Sequence, residues 1–343
     1  MSGVRKLGLW MALIVLTIGV TTVGLELLVR IISPQATIYP RYQYSERLSQ
    51  SLFPSTTMVA ELPGAWRFVY TTSEYGFRAP TMAISNRYDR PNIVVLGDSY
   101  SFGNGVDDGE EYPALLAGLL ADQADVVNLG VPGYGLTQQI RLFYEFGQAY
   151  RPAIVLLQFS DNDPDDNLFY RVTAIEDGRF VFKNDQSLNT VLRSLKDFLG
   201  NSLIQKSQLY NFVRNTAYEM VRRRHVAAGD REAFYNDLLE LLATDVSRRG
   251  IDMVFFGVND HLGRFPQIAA KVQGLADEGT LSYQATEPWF EGATDYGTPE
   301  GHAWGAKAHR IVAERLAPVL ERLLATRAGD REDHLSGAID PSF

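Results

Sequence analysis

From residue 91 onward, short apolar segments that favour strands alternate with segments spaced like amphipathic helices. The strand-like runs IVVL, VVNL and IVLLQF begin at residues 93, 126 and 154, and helical patterns lie around residues 113 and 137. A further helix is expected from Glu232 to Arg249, with a strand beginning at residue 252. Such alternation predicts right-handed βαβ units and a parallel sheet. The fold class is therefore expected to be α/β.

The segment from Asn92 to Gly105, NIVVLGDSYSFGNG, places a serine directly after the first of these strands. Gly97 allows a sharp turn, and Ser99 then lies at the carboxyl end of the strand, where open α/β sheets bind their ligands. Serine and glycine are also ordinary turn residues, so this turn alone does not identify a nucleophile.

The N-terminal residues 1–33 have the pattern of a signal anchor. Arg5 and Lys6 precede an uncharged run from Leu7 to Leu25, which is about the length that spans a bilayer. A cleaved signal peptide is the alternative, but the run is long and no small-x-small site follows it. Arginines at positions 30, 41 and 47 blur the positive-inside comparison. The expected orientation places the N-terminus in the cytoplasm and the large domain outside, in the periplasm or at the cell surface.

Charge and composition argue against several classes of function. The net charge is −9 and nothing shows the clustered basic face that a nucleic-acid backbone requires, so nucleic-acid binding is not expected. The absence of cysteine excludes disulfides, thiolate metal sites and a cysteine nucleophile. The acidic residues 161, 163 and 165 lack the glycine and the final glutamate of a calcium loop, and the glycines near residue 103 lack dinucleotide-binding spacing. We therefore expect no metal and no cofactor.

The chain is expected to have four parts. Residues 34–90 are rich in proline, tyrosine and serine and predict a membrane-proximal stalk that packs partly on the domain. Residues 91–325 form the main domain, with an insertion at about 170–229 that contains a hairpin and one or two helices between about Leu188 and Arg224. A final helix is expected from about Ala303 to Leu324, kinked at Pro318. The polar residues 326–343 predict a disordered tail.

Four sequence blocks occur in a characteristic order. They are GDSYSFGNG at 97, NLGVPGYG at 128, an Asn-Asp pair after IVLLQF, and GHAWGAKAH at 301. Over roughly residues 90–325 the chain resembles the GDSL or SGNH hydrolase superfamily. The resemblance implies a three-layer α/β/α fold with a mainly parallel, flavodoxin-like sheet. It also implies an esterase with a serine nucleophile.

The resemblance assigns the nucleophile and the oxyanion donors. Ser99 matches the nucleophile, and its backbone N–H would be one donor. The backbone N–H of Gly133 and the side-chain amide of Asn162 would be the others. Ser160 replaces the glycine that usually stands two residues before this asparagine. Asn259, in GVNDH, matches the asparagine block more closely in letters, but chain order favours Asn162.

His302 matches the general base, whereas the acid that orients it is open. Pro299 stands where the family commonly has an aspartate. Glu300 is the nearest carboxylate and is the first candidate, Asp295 is the alternative, and a Ser-His dyad is a third reading. The other histidines, at 225, 261, 309 and 334, lack this context, and residue 309 is expected in the final helix behind the site.

The sequence thus predicts a membrane-anchored serine esterase that hydrolyses acyl esters, O-acetyl in the first instance, of cell-envelope glycans or lipids. Its partners would be that acylated substrate and the membrane, and the oligomeric state is left open. One alternative is an O-acyltransferase that acts on a glycan. The other is a non-catalytic, glycan-binding envelope-assembly protein, which the irregular acid block would suit.

Overall fold

The computed structural model describes residues 2–79, 90–184, 194–195, 198–199, 202–226 and 230–336. Parts of the predicted stalk, insertion and tail fall outside these ranges. They include residues 80–89, most of the stretch 185–201 where the first insertion helix was predicted, and residues 337–343.

The N-terminal part begins with a long helix followed by short strands. The elements are α1 (Ser2–Ile32), β1 (Thr37–Tyr39), β2 (Gln43–Ser45), β3 (Ser49–Ser51), β4 (Thr57–Leu62) and β5 (Trp66–Thr71). The side chains of α1 are almost all exposed. Its stretch Arg5–Ile32 is long and apolar enough to cross a membrane, on length and composition. The helix is therefore compatible with a membrane anchor or a signal sequence.

A parallel five-stranded sheet follows, with helices between its strands. The elements are β6 (Asn92–Leu96), α2 (Ser99–Phe102), α3 (Tyr112–Leu119), β7 (Asp125–Asn128), α4 (Leu136–Glu145), β8 (Pro152–Phe159), α5 (Asp163–Phe169), β9 (Thr173–Glu176), β10 (Arg179–Phe182), α6 (Gln208–Val226), α7 (Arg231–Arg248), β11 (Asp252–Gly257), α8 (Pro266–Asp277), β12 (Ser282–Gln284) and α9 (Ala306–Ser336). The strand order is β12-β11-β8-β6-β7, and every pair is parallel. The predicted α/β fold class is confirmed.

Two hydrophobic cores lie on opposite faces of this sheet. Every residue of β8 is buried, and successive side chains point to opposite faces. Val155 and Leu157 pack with α4, α7 and α8, whereas Ile154 and Leu156 pack with α3 and α9. Burial on both faces explains why the strands are continuous apolar runs in the sequence. The sheet and the helices on its two faces form the three layers.

The region predicted as a stalk is more ordered than its composition suggested. β1, β4 and β5 form an antiparallel sheet. Met58, Ala60 and Tyr70 from this sheet are buried in the same core as α4 and α7. Residues 37–79 therefore form a layer packed on the main domain. Their strands are only three to six residues long, which is too short for a clear periodic signal.

The hairpin predicted in the insertion is present in the structure, whereas the tail differs from its prediction. β9 and β10 pair as the predicted hairpin around Asp177 and Gly178. α9 runs through Pro318 and continues to Ser336, so the backbone of residues 326–336 is helical where a disordered tail was predicted. Residues 326–336 include Arg327, Ala328, Arg331 and Glu332, whose types favour helix, so this polar segment is compatible with a helix as well as with disorder.

Candidate active site

The turns after β6, β7, β8 and β11 lie at one edge of the sheet, because the carboxyl ends of parallel strands coincide there. Ser99 begins α2 directly after β6, Gly133 lies between β7 and α4, and Asn162 follows β8. His302 reaches the site from the loop between β12 and α9.

Asp98 organises the turn that carries Ser99. Its Oδ1 accepts the Tyr100 N–H at 3.0 Å and caps α2, while its Oδ2 lies 3.4 Å from Ser99 Oγ. The second serine of this turn, Ser101, is fully buried and bonds to the Tyr112 hydroxyl at 2.6 Å and to Gln158 at 3.0 Å. Ser99 is half-buried, so it is the serine of this pair that a substrate can reach.

Close packing fixes the conformation of the same turn. A Cβ on Gly97 would lie 2.2 Å from Ser101 Oγ, which only glycine avoids. At the other end, Gly103 adopts a φ of 84° and closes α2. The buried Arg78 guanidinium donates to the carbonyls of Phe102, Gly103 and Val106 at 2.8, 2.6 and 2.8 Å. The N-terminal layer thus holds the turn from behind.

Three candidate donors for an oxyanion lie at this edge. The Ser99 N–H is in the first turn of a helix, where N–H groups lack intrahelical acceptors. Gly133 has a φ of 76°, and within the described residues its N–H donates to no protein acceptor. The Asn162 amide donates to Asp166 at 2.8 Å, and its second N–H remains for a ligand.

Ser160, the residue that replaces the family glycine, links Asn162 to the nucleophile turn. Its Oγ lies 2.7 Å from Asp98 Oδ2, 2.7 Å from Asn162 Oδ1 and 3.1 Å from Asp163 Oδ1. Burial, and after it the Asp98 charge, raise the pKa of Asp163 well above its usual value, while the Ser160 N–H donates to Asp163 Oδ2 at 3.1 Å. The Ser160 hydroxyl thus joins Asp98, next to Ser99, to Asn162 and Asp163.

His302 packs against Tyr100, the residue that follows Ser99. Its ring centroid lies 4.2 Å from that of Tyr100. Thr298 closes the loop, because its Oγ1 accepts the His302 N–H at 2.9 Å and its own N–H donates to the His302 carbonyl at 2.8 Å. Burial lowers the pKa of His302, and the Asp98 carboxylate opposes this shift. The ring is therefore neutral at pH 7, as a general base must be.

Neither candidate acid reaches His302 in this structure. Among the described residues, His302 Nδ1 is buried without a hydrogen-bond partner, and so is Glu300 Oε1. The Glu300 carboxyl is directed towards Gly105, where an added Cβ would lie 2.8 Å from Oε1. Burial raises the pKa of Glu300 to about 7. Asp295 is exposed at a φ of 53°.

Two residues after β11 belong to the site although the sequence set them aside. The His261 ring lies edge-on to Tyr100 at 5.9 Å, and its Nδ1 accepts the Asp161 N–H at 3.2 Å. Asn259 Oδ1 accepts the Trp304 indole N–H at 2.8 Å, which ties this turn to the His302 loop. Their position after a central strand was the available signal, because it places both at the ligand-binding edge.

With this geometry in view, comparison with known proteins identifies the family. Residues 93–316, more than half of the chain, match the family GDSL-like Lipase/Acylhydrolase. The chain belongs to this family. It is accordingly a hydrolase that acts on ester bonds. No curated protein matches it.

Solved structures of similar fold have low sequence identity to this chain. One, titled as the crystal structure of TesA, is 17% identical with a TM-score of 0.43, over 68% of this chain and 99% of that chain. A carbohydrate acetylesterase family member from Sinorhizobium meliloti is 12% identical with a TM-score of 0.41, over 68% and 99%. An acetylxylan esterase from Geobacillus stearothermophilus is 15% identical with a TM-score of 0.39, over 68% and 94%.

Proposed function

We propose that this chain is a membrane-anchored serine esterase that removes acyl groups, acetyl in the first instance, from cell-envelope glycans or lipids. The observation that carries the proposal is an accessible Ser99 at a helix N-terminus beside His302, whose ring packs on the adjacent Tyr100 and whose pKa is lowered by burial. A serine in this setting needs only a base and oxyanion donors to act as a nucleophile.

In the proposed reaction, Ser99 Oγ attacks the ester carbonyl while His302 accepts its proton. The oxyanion is bound by the N–H groups of Ser99 and Gly133 and by the Asn162 amide, and each such donor lowers the barrier by about 2.7 to 4 kcal/mol. His302 then protonates the leaving alcohol. Water activated by His302 hydrolyses the acyl-enzyme, releases the acid and restores Ser99.

Glu300 is the proposed orienting acid, with Asp295 second. The proposal for Glu300 is supported by its place two residues before His302 and by two buried polar atoms, Glu300 Oε1 and His302 Nδ1, that lack partners in the described chain. Catalytic hydrogen bonds are often incomplete before substrate binds. For these two atoms to pair, the Glu300 side chain has to rotate away from Gly105. The Asp98 charge, which favours protonated His302, would support a dyad if Glu300 does not move.

The proposed location is extracytoplasmic, with α1 in the bilayer and the catalytic domain in the periplasm or at the cell surface. The support is the basic pair Arg5 and Lys6 before the apolar stretch, and the exposure of its side chains. A site held close to a membrane would meet acylated lipids and envelope glycans, which is why these are the proposed substrates.

The test is hydrolysis of acetyl and octanoyl esters and of an acetylated glycan by the full chain in detergent. Ser99→Ala and His302→Ala should each reduce kcat by at least about 1000-fold. Ser247→Ala, at an exposed serine on α7, is the control and should retain activity. Equal activity in all the variants would refute the proposal. Transfer of the acetyl group to an added glycan, in place of acetate release, would indicate an acyltransferase.

A further inference from the structure

The insertion exposes a continuous set of apolar side chains. On α6 and the turn that precedes it, six large apolar residues are exposed besides Tyr218, and Leu203, Val213 and Met220 are 70%, 58% and 59% exposed. We call this set the α6 apolar face. Its members are Leu203, Ile204, Phe212, Val213, Met220 and Val221. At about 100° of rotation per residue, the members at 212, 213, 220 and 221 lie within about half of the circumference of α6.

The opposite side of α6 is attached to the catalytic domain. Gln208 and Asn211 are buried, and Arg222 Nε bonds to Asp166 Oδ1 at 3.2 Å. Asp166 in turn accepts from the Asn162 amide. The helix is therefore fixed to the site on one side, and its apolar side faces outward.

The start of α6 is also attached to α1. The Glu26 carboxylate accepts hydrogen bonds from Ser207 Oγ at 2.8 Å and from the N–H groups of Gln208 and Leu209 at 3.0 and 2.8 Å. Glu26 is the first charged residue after the uncharged run Leu7–Leu25. A run of this length matches the hydrocarbon core of a bilayer, so α6 begins at the level where α1 leaves that core.

The charges around the α6 apolar face are mostly positive, although the chain as a whole is acidic. Residues 206–224 contain five basic residues and one acidic residue, Glu219. Lys206, Arg223 and Arg224 are exposed. Apolar side chains bordered by cations are the pattern of a helix that lies in the interface of an anionic membrane.

We propose that the α6 apolar face lies in the headgroup region of the same bilayer that α1 crosses. In this arrangement the apolar side chains enter the acyl boundary, and Lys206, Arg223 and Arg224 pair with anionic lipid headgroups. The inference rests on the membrane anchor of the proposed function. It adds a second contact, which fixes how the catalytic domain is oriented over the lipid surface.

The test uses single-cysteine labelling, which the cysteine-free chain makes specific. Val213→Cys and Met220→Cys carry a fluorophore in the full chain, reconstituted in lipid nanodiscs that contain phosphatidylglycerol. Val15→Cys in α1 reports on the anchor, and Glu314→Cys on an exposed position of α9 is the soluble control. Each label is quenched separately by brominated lipid and by aqueous iodide.

We expect the labels at positions 213 and 220 to be quenched by brominated lipid, like the label at position 15, and the label at position 314 to be quenched by iodide. Quenching of 213 and 220 by iodide alone would overturn it. Protection from both quenchers would also overturn it, because the face would then be covered by protein, such as a second copy. If lipid quenches the label at position 15 but not the label at position 213, the membrane anchor stands and only the contact of the α6 apolar face is refuted. If lipid does not quench the label at position 15, the anchor and the contact are both refuted.

A charge test completes the experiment. Replacement of Arg223 and Arg224 by glutamine should reduce lipid quenching at position 213 in anionic discs and leave it unchanged in neutral phosphatidylcholine discs. The matched control replaces the exposed Arg310 and Arg315 of α9 by glutamine and should have no effect in either lipid. An equal effect of both pairs would contradict a specific role for the arginines of α6.

Discussion

The two halves of the active site differ in how completely their side chains are held. In the Ser99 turn, Asp98, Ser160 and Arg78 form hydrogen bonds on every side. In the His302 loop, the backbone is closed by Thr298, but His302 Nδ1 and Glu300 Oε1 are buried without partners in the described part of the chain. The turn that carries Ser99, the proposed nucleophile, is thus preformed, whereas the proposed orientation of His302 as the base requires a contact that the structure does not contain.

This difference separates two kinds of variant. Changes behind Ser99 should act on stability or on the bound oxyanion, because the contacts they remove already exist. Changes in the His302 loop should act on catalysis and its pH dependence, because the contact they affect forms during the reaction.

The largest expected effect is that of Arg78→Met on the stability of the nucleophile turn. The variant leaves the buried Glu111, 3.5 Å from the guanidinium, without its cation, and three carbonyls without their donor. Breaking a buried pair in this way costs about 3 to 5 kcal/mol, measured as the free energy of unfolding in urea. Arg67→Met removes an exposed pair with Glu61 and should cost less than about 1 kcal/mol. Equal losses would show that Arg78 does not hold the turn.

Next is the loss of an oxyanion donor in Asn162→Ala. The barrier should rise by about 2.7 to 4 kcal/mol, a loss of about 100- to 1000-fold in kcat. The matched variant Asn259→Ala breaks the bond to Trp304 and leaves the proposed donors in place, so its kcat should fall much less. A larger loss of kcat in Asn259→Ala than in Asn162→Ala would make Asn259 the oxyanion donor in place of Asn162, which chain order favours.

Glu300→Gln tests whether Glu300 orients His302. If the ionised Glu300 orients His302, kcat/KM should fall about 100-fold, as expected for a misplaced base. The pKa of Glu300 is raised by burial to about 7, so the wild-type rate should rise with pH through that value. In Glu300→Gln the rise in rate near pH 7 should be absent. Only the rise that follows deprotonation of His302 should remain, and burial lowers the pKa of His302 below its usual value. Asp295→Asn should leave both rate and profile unchanged.

An unchanged profile in Glu300→Gln would support the Ser-His dyad instead. A loss confined to Asp295→Asn would make Asp295 the acid.

The smallest expected effect is on the pH dependence of stability. Burial raises the pKa of Glu300 from 4.5 to about 7, so between these values the folded chain binds the proton more tightly than the unfolded chain. The contribution of Glu300 to stability therefore falls as the pH rises through this range. Relative to wild type, the Tm of Glu300→Gln should be higher near pH 8 than near pH 4. The opposite trend would place Glu300 beside a positive charge.

The sequence predicted the parallel sheet well because strands buried on both faces leave continuous apolar runs, as IVLLQF does. It also placed Ser99 and Asn162 at one edge, because each follows the end of a strand, and it assigned His302 by the resemblance of the block before the final helix. It did not show that Arg78 reaches the carbonyls behind Ser99, since that contact joins distant parts of the chain. It set His261 aside because no local block surrounds it, although its position after β11 brings it to Tyr100.

The most direct test of the nucleophile is covalent trapping with a fluorophosphonate, followed by mass spectrometry of the labelled peptide. We expect a single label on Ser99 in the wild-type chain, no label in Ser99→Ala, and slow labelling in His302→Ala. A label on Ser101 or Ser160, or an active chain that remains unlabelled, would contradict the assignment of Ser99 as the nucleophile.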